Sequence, residues 1–305
     1  MRFLFGCLFL ALLSAIGQTV PPPTSTQPLT VLIVTDMEGV MGAADPNLLY
    51  GAPEHDGYGR QLLTAEVQAA IRGARAAGAQ RILLSDSHYR GDNLNWQQLP
   101  HDVIRLPQHA LEGSHPRAEV AEIFRRYHPQ ALVLLGYHVM SGGKGFLPHT
   151  FVTRDRIGID GHEAGEIAML AALAGHFGVP VVTVTGEAGA TREAQAMLPG
   201  VQVAATKRLL PDGWVALQPL AAAEQAVEAA TQAGVTARSH IAPLSPARLA
   251  PGEVETWSCT LRHPDALLTL PPGVQRSGTR LLWRSRDYID GYWTLFQVFA
   301  ALHGN

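Results

Sequence analysis

Cysteine is almost absent: Cys7 and Cys259 are the two in 305 residues. A disulfide framework is excluded, because Cys7 lies in an N-terminal apolar segment expected to be removed, leaving Cys259 alone in an alternating, strand-like stretch. Charge is also sparse, at 16% of residues, with 23 Lys and Arg against 26 Asp and Glu for a net charge of −3. No basic stretch exists that could follow a phosphate backbone, so a nucleic-acid partner is not expected. The N-terminal apolar run from Phe3 to Ile16 falls short of the roughly 20 residues that span a membrane. Internal repeats and low-complexity tracts are missing, and so is a Gly-x-Ser-x-Gly elbow, which argues against a serine hydrolase. What remains is a chain that is 47% hydrophobic with 13 histidines, a composition able to bury a real core.

The N-terminus has its own character. Arg2 precedes the run from Phe3 to Ile16, and Ala15-Ile16-Gly17 places small residues three before and one before a cut after Gly17. Residues 1–17 are therefore expected to be a signal peptide and 18–29 a Pro/Thr-rich spacer, with an uncleaved signal anchor as the alternative. The mature protein is expected in the periplasm or outside the cell, without stable membrane association.

From residue 29 onward, apolar runs of strand length alternate with helical patterns. Leu29 to Thr35, Arg81 to Ser85, Ala131 to Gly136 and Val179 to Thr185 read as buried strands. Helices are predicted at about 60–77, ending at Gly78, and over Arg117 to Tyr127, Gly161 to His176 and Thr191 to Met197. This order predicts an α/β fold with a mostly parallel, doubly wound sheet over residues 30–204. Beyond it, an alanine-rich helix (Ala221 to Ala233), strands at Val254 to Leu261 and Arg280 to Arg286, and a helix from Tyr288 to Leu302 read as a smaller α+β subdomain over 205–305. Trp257, Trp283, Trp293, Phe296 and Phe299 read as core aromatics rather than a ligand wall.

Three strand ends carry metal-ligand residue types. Asp36 and Glu38 follow the first strand in Thr35-Asp36-Met37-Glu38-Gly39, His88 follows the second in Ser85-Asp86-Ser87-His88, and His138 ends the third in Gly136-Tyr137-His138. Open α/β sheets place ligands at this carboxyl edge. Imidazoles with carboxylates suit zinc, and a short Asp can bridge two ions. Two ions call for a further carboxylate, for which spacing leaves Glu163, Glu166 and Glu187 open. Ser141-Gly142-Gly143-Lys144-Gly145 lacks the first glycine and the final Ser/Thr of a phosphate loop and reads as a flexible loop near the site.

These segments, together with His149 in Leu147-Pro148-His149-Thr150 and Gly165-Glu166, resemble in order and flanking residues the zinc-dependent D-aminopeptidases of the DppA type, from about 30 to 302. The resemblance implies two zinc ions per chain, with Asp36 bridging and Glu38, His88, His138 and Glu166 completing the shells. It also implies a small peptide substrate such as a D-Ala peptide, a catalytic role for His149, and a homo-oligomer such as a decameric ring with an internal chamber. On chemical grounds a water activated by two ions is the attacking group, and His149 is better placed to move a proton than to act as a nucleophile. Two rivals are a haloacid-dehalogenase-like magnesium phosphatase using Asp36, which would have no use for His88 and His138, and a non-catalytic exported metal-binding protein.

Overall fold

In the computed structural model, residues 27–49, 56–112, 117–244, 254–263 and 269–303 are described. The expected signal peptide and most of the spacer lie outside them. Twelve strands and six α-helices follow in chain order among these residues. The strands are β1 (Thr30–Thr35), β2 (Arg81–Asp86), β3 (Ile104–Arg105), β4 (Ala131–Tyr137), β5 (Arg156–Ile159), β6 (His162–Glu163), β7 (Val181–Glu187), β8 (Gln202–Leu209), β9 (Val215–Leu217), β10 (Glu255–Thr260), β11 (Gln275–Ser277) and β12 (Arg280–Ser285). The helices are α1 (Asp56–Ala76), α2 (Arg117–Tyr127), α3 (Glu166–His176), α4 (Ala188–Met197), α5 (Leu220–Ala237) and α6 (Tyr288–His303).

The large sheet has the order β3-β2-β1-β4-β7-β8-β9 and is parallel except for β9. Its interior strand β1, Thr-Val-Leu-Ile-Val-Thr, is buried throughout, as a strand covered on both faces requires. The period of two divides it cleanly. Val31 and Ile33 join a core with Leu63, Val67 and Ile71 of α1 and Val227 and Val235 of α5. Leu32 and Val34 join another with Val120 and Phe124 of α2, Leu170 and Leu173 of α3, and Tyr292 and Leu295 of α6. The expected α/β class and double winding are thus present.

A second sheet, β11-β12-β10-β5-β6, is antiparallel. It does not coincide with the expected subdomain. β5 and β6 come from within the segment 30–204, whereas β8, β9 and α5 belong to the large sheet and its covering layer. The sequence boundary at 205 therefore falls within β8. The helix expected from Gly161 also begins later, at Glu166, because Asp160 and Gly161 both take left-handed backbone (φ +49° and +83°) and turn β5 back into β6. Asp-Gly is the pair such a two-residue hairpin favours.

The aromatics sort as predicted in the main. Trp257 and Trp283 face each other across β10 and β12, stacked at 6.0 Å, and are buried. Cys259 is buried beside them, and burial pushes its thiol up to about 12, which leaves it an inert packed residue. Phe296 is the exception, since it lines a cavity described below.

Helices α1 and α5 touch backbone to side-chain position at Gly73, where a Cβ would sit 2.2 Å from the Glu228 carbonyl oxygen. Gly73→Val is expected to force the pair apart and lower the unfolding free energy by ~1–3 kcal/mol. Urea denaturation measures it, and an unchanged midpoint would show that the two helices are not held at this distance.

Candidate metal centre

The order of the large sheet places a topological switch beside β1. The chain moves outward through β2 and β3, then returns to β4 on the other side of β1. A crevice opens outside the carboxyl ends at such a point. Asp36 follows β1 and His138 follows β4, so the switch brings together residues about 100 positions apart. Their approach needs glycine. A Cβ on Gly136, which has φ +75°, would sit 2.3 Å from the Asp36 carbonyl oxygen, and one on Gly186 would sit 1.9 Å from that of Tyr137. Asp36 N–H donates to Leu135 O at 2.8 Å and Gly39 N–H to Gly136 O at 2.6 Å, locking the two strand ends together.

Asp36, Glu38, His88, His138 and Glu166 all converge there, each buried. His88 Nε2 lies 3.4 Å from Glu38 Oε1, and His138 Nε2 lies 3.5 Å from Asp36 Oδ2 and 3.2 Å from Glu166 Oε1. Two triads, Asp36-Glu38-His88 and Asp36-His138-Glu166, each present ligand atoms within 4.8 Å of one another and share Asp36. A third joins Glu38, His138 and His149. His149 stacks on His138, ring centres 3.9 Å apart and nearly parallel, with its Nε2 3.6 Å from Glu38 Oε1.

Backbone carbonyls fix both rings. His138 Nδ1 is 2.9 Å from Val139 O and His149 Nδ1 is 2.8 Å from Leu147 O. A carbonyl only accepts, so each Nδ1 carries a proton and each Nε2 is turned to the cluster, the arrangement that metal-ligating histidines use. Burial, then Glu38 and Glu166, push the Asp36 carboxyl well above its usual range, against the pull of His138. Burial acts the same way on Glu38 and Glu166, but His88 with His138 and His149 for the first, and His138 with His149 and the Phe151 N–H for the second, together hold both low. His138 is raised well above an ordinary imidazole, burial notwithstanding, by Glu166, Asp36 and Glu38. His149 is lowered by burial and by His138.

The residues fit a metal. Asp36 Oδ2 and His138 Nε2 are fully buried and make no hydrogen bond, a costly arrangement for a carboxylate oxygen and an imidazole nitrogen facing one another unless a cation satisfies both. Carboxylate oxygens and imidazole nitrogens are the donors zinc accepts.

A polar layer behind the ligands sets their places. Glu66 of α1 accepts from Met41 N–H at 2.8 Å and from the Thr185 hydroxyl at 2.5 Å, and Thr185 Oγ1 in turn accepts from Gly136 N–H. The Thr206 hydroxyl reaches the carbonyls of Gly39 and Gly186. Buried Lys207, brought down to about 8 by burial, donates to Ala43 O. The three carboxylates that spacing left open separate here. Glu166 is the first residue of α3 and joins the cluster; Glu163 is exposed and pairs with Arg156 at 2.6 Å. Glu187 caps α4, accepting from Gly189 and Ala190 N–H, and also from Val139 N–H beside His138.

The cavity over the cluster encloses about 410 Å³ and brings in His109, Glu112 and Arg154, to which the sequence assigns no role, and Phe296, which is expected in the core. His109 Nε2 lies 2.8 Å from Tyr89 O and its Nδ1 2.8 Å from Glu112 Oε2. His109 and Glu112 lie in a polar stretch between β3 and α2, too common a pattern to read. The glycine-rich segment expected near the site lies beside it instead, with Ser141, Gly142 and Gly145 lining an adjoining cleft.

The D-aminopeptidase family model matches residues 29–297. A D-aminopeptidase of Bacillus subtilis (strain 168) is 27% identical over 217 residues, covering 69% of this chain and 75% of the relative. The fold matches a solved structure described as the Zn-dependent D-aminopeptidase DppA from Bacillus subtilis, a self-compartmentalizing protease, with a TM-score of 0.79, 20% identity, and coverage of 91% of this chain and 99% of that one. The match takes in both sheets and every residue of the cluster, and the chain belongs to the D-aminopeptidase family.

Proposed function

We propose that this metallo-aminopeptidase is a dinuclear zinc enzyme that removes amino-terminal residues from short peptides containing D-amino acids, such as D-Ala peptides. The observation that carries the reading is the sharing of buried Asp36 between two ligand triads. Asp36, Glu38 and His88 would hold one ion, and Asp36, His138 and Glu166 the other. When bound, zinc supplies Lewis acidity, polarising the scissile carbonyl and acidifying a water. The chain's own residues do the rest. His149, with Nδ1 committed to Leu147 O, presents Nε2 to the site; this nitrogen accepts the water's proton and passes it to the leaving amine as the C–N bond breaks. Leu147, Phe151 and Phe296 wall the cavity and limit the water that reaches it.

The phosphatase alternative does not suit this family or an Asp36 turned toward His138. We further propose that the protein is exported, on the strength of the N-terminal segment. A closed, ring-shaped homo-oligomer is proposed by likeness to a solved structure described as a self-compartmentalizing protease.

Elemental mass spectrometry on the purified chain is expected to find two zinc ions, with hydrolysis of D-Ala peptides lost on chelation and restored by zinc. Full metal content without any peptide hydrolysis would favour the non-catalytic metal-binding reading. His149→Ala is expected to keep both ions while turnover falls by about 100-fold or more; undiminished turnover would remove His149 from the chemistry. Glu166→Ala is expected to lose metal and Glu163→Ala to retain it, and equal loss in the two would overturn the choice of Glu166.

A further inference from the structure

A second cleft, of about 590 Å³, adjoins the metal cavity and has no part in the chemistry above. Leu147 and Arg154 line both, so the two spaces are neighbours across one short segment. That segment is well tied. Thr150 and Thr153 exchange backbone hydrogen bonds at 2.8 and 3.1 Å, carrying the chain from His149 round to Arg154 in a tight turn. Ser141 N–H donates to Thr150 Oγ1, and the Ser141 hydroxyl donates to the Arg154 carbonyl.

Three arginines, Arg154, Arg156 and Arg262, line this cleft. Arg156 is neutralised by Glu163. Among the described residues no carboxylate pairs with the side chains of Arg154 or Arg262. Asp155 lies between Arg154 and Arg156 in sequence, but it is buried and its Oδ1 accepts from the Arg262 backbone N–H instead. Arg154 and Arg262 thus line a cleft beside a hydrolytic centre, and among the described residues neither side chain has an anionic partner.

In a di- or tripeptide, the free carboxylate lies only one or two residues past the scissile bond, about 3.5–7 Å along an extended chain. A guanidinium presents the planar fork that a carboxylate accepts in two parallel hydrogen bonds. We propose that Arg154, with Arg262 beside it, receives the free C-terminal carboxylate of a short peptide whose scissile bond lies at the metal centre. The inference rests on the aminopeptidase reading and deepens it: the cleft selects short peptides with an unblocked carboxyl end.

The test compares D-Ala-Gly with its C-terminal amide on the zinc-loaded full chain. The free acid is expected to be favoured about 10-fold or more in kcat/KM, chiefly through KM. Arg154→Gln and Arg262→Gln are each expected to shrink that ratio, and the double variant to bring it close to one. Equal rates on acid and amide in the native enzyme, or an undiminished ratio in the double variant, would overturn the proposal while leaving the aminopeptidase reading intact. Hydrolysis of neither probe would overturn that reading and this inference with it. A double variant that keeps the ratio but dissociates on sedimentation would assign the cleft to a contact between copies of the chain, and overturn the proposal equally.

Discussion

The burial of three carboxylates, Asp36, Glu38 and Glu166, at one point is the constraint on which the site depends. Like charges at this separation in a poorly solvated pocket repel strongly, and each also loses its hydration. Two imidazoles reduce the charge but do not remove it, and the conflict shows in the opposite shifts of Asp36 and Glu38, neighbours two residues apart. A fold does not keep such a cluster for its own stability. Divalent cations resolve the conflict, because they convert mutual repulsion among the oxygens into shared attraction and give Asp36 Oδ2 and His138 Nε2 the partner they lack.

Holding the cluster in place falls to a larger part of the chain than the ligands span. Glu66 reaches from α1, Thr185 from β7, and Thr206 and Lys207 from β8, and their bonds end on the segment between Gly39 and Ala43 or on the strand ends beside it. These contacts explain why the large sheet does not stop near residue 205. β8 lies against β7 at the edge of the site, and α5 must then cover β8, so residues well past the last ligand belong to the same structural unit. The small sheet is equally bound in. Its strand β5 is continuous in sequence with the turn that bears His149, so β10 and β12 anchor that turn from more than 90 residues away.

Much of this was legible in the sequence because it is local. Uninterrupted apolar, partly β-branched runs mark β1, β4 and β7, and a ligand-type residue directly after a strand is visible without knowing the fold. The expected ligands Asp36, Glu38, His88, His138 and Glu166 do meet. Choosing Glu166 was not a local matter: three glutamates stood at plausible distances, and what separates them is a hairpin turn at Asp160-Gly161 and a helix cap at Glu187, whose consequences appear only in three dimensions. Strands β5 and β6 were hidden for a similar reason. They are short and polar at one edge; β5 becomes a strand by pairing with β10, a partner about 100 residues distant, and β6 by folding back onto β5. His109, Glu112 and Arg154 reach the cavity from loops, where pattern carries little information.

The loops around the cavity are stiff, and their stiffness is visible in the backbone. Tyr89, His109, Leu147 and Phe151 all have positive φ, between 50° and 53°, and all four line the metal cavity. Such conformations cost a non-glycine residue roughly 1–3 kcal/mol and survive where surrounding bonds impose them. The imposing bonds are present: His109 is held at both ring nitrogens, and Phe151 N–H donates to Glu166 Oε1. The last of these matters most. The carboxylate that faces His138 also grips the turn two residues beyond His149, so the ligand-type cluster and the placing of His149 run through one side chain. Losing Glu166 would therefore disturb the turn that bears His149 as well as the Asp36-His138-Glu166 triad, whereas losing His149 leaves both triads that share Asp36 complete.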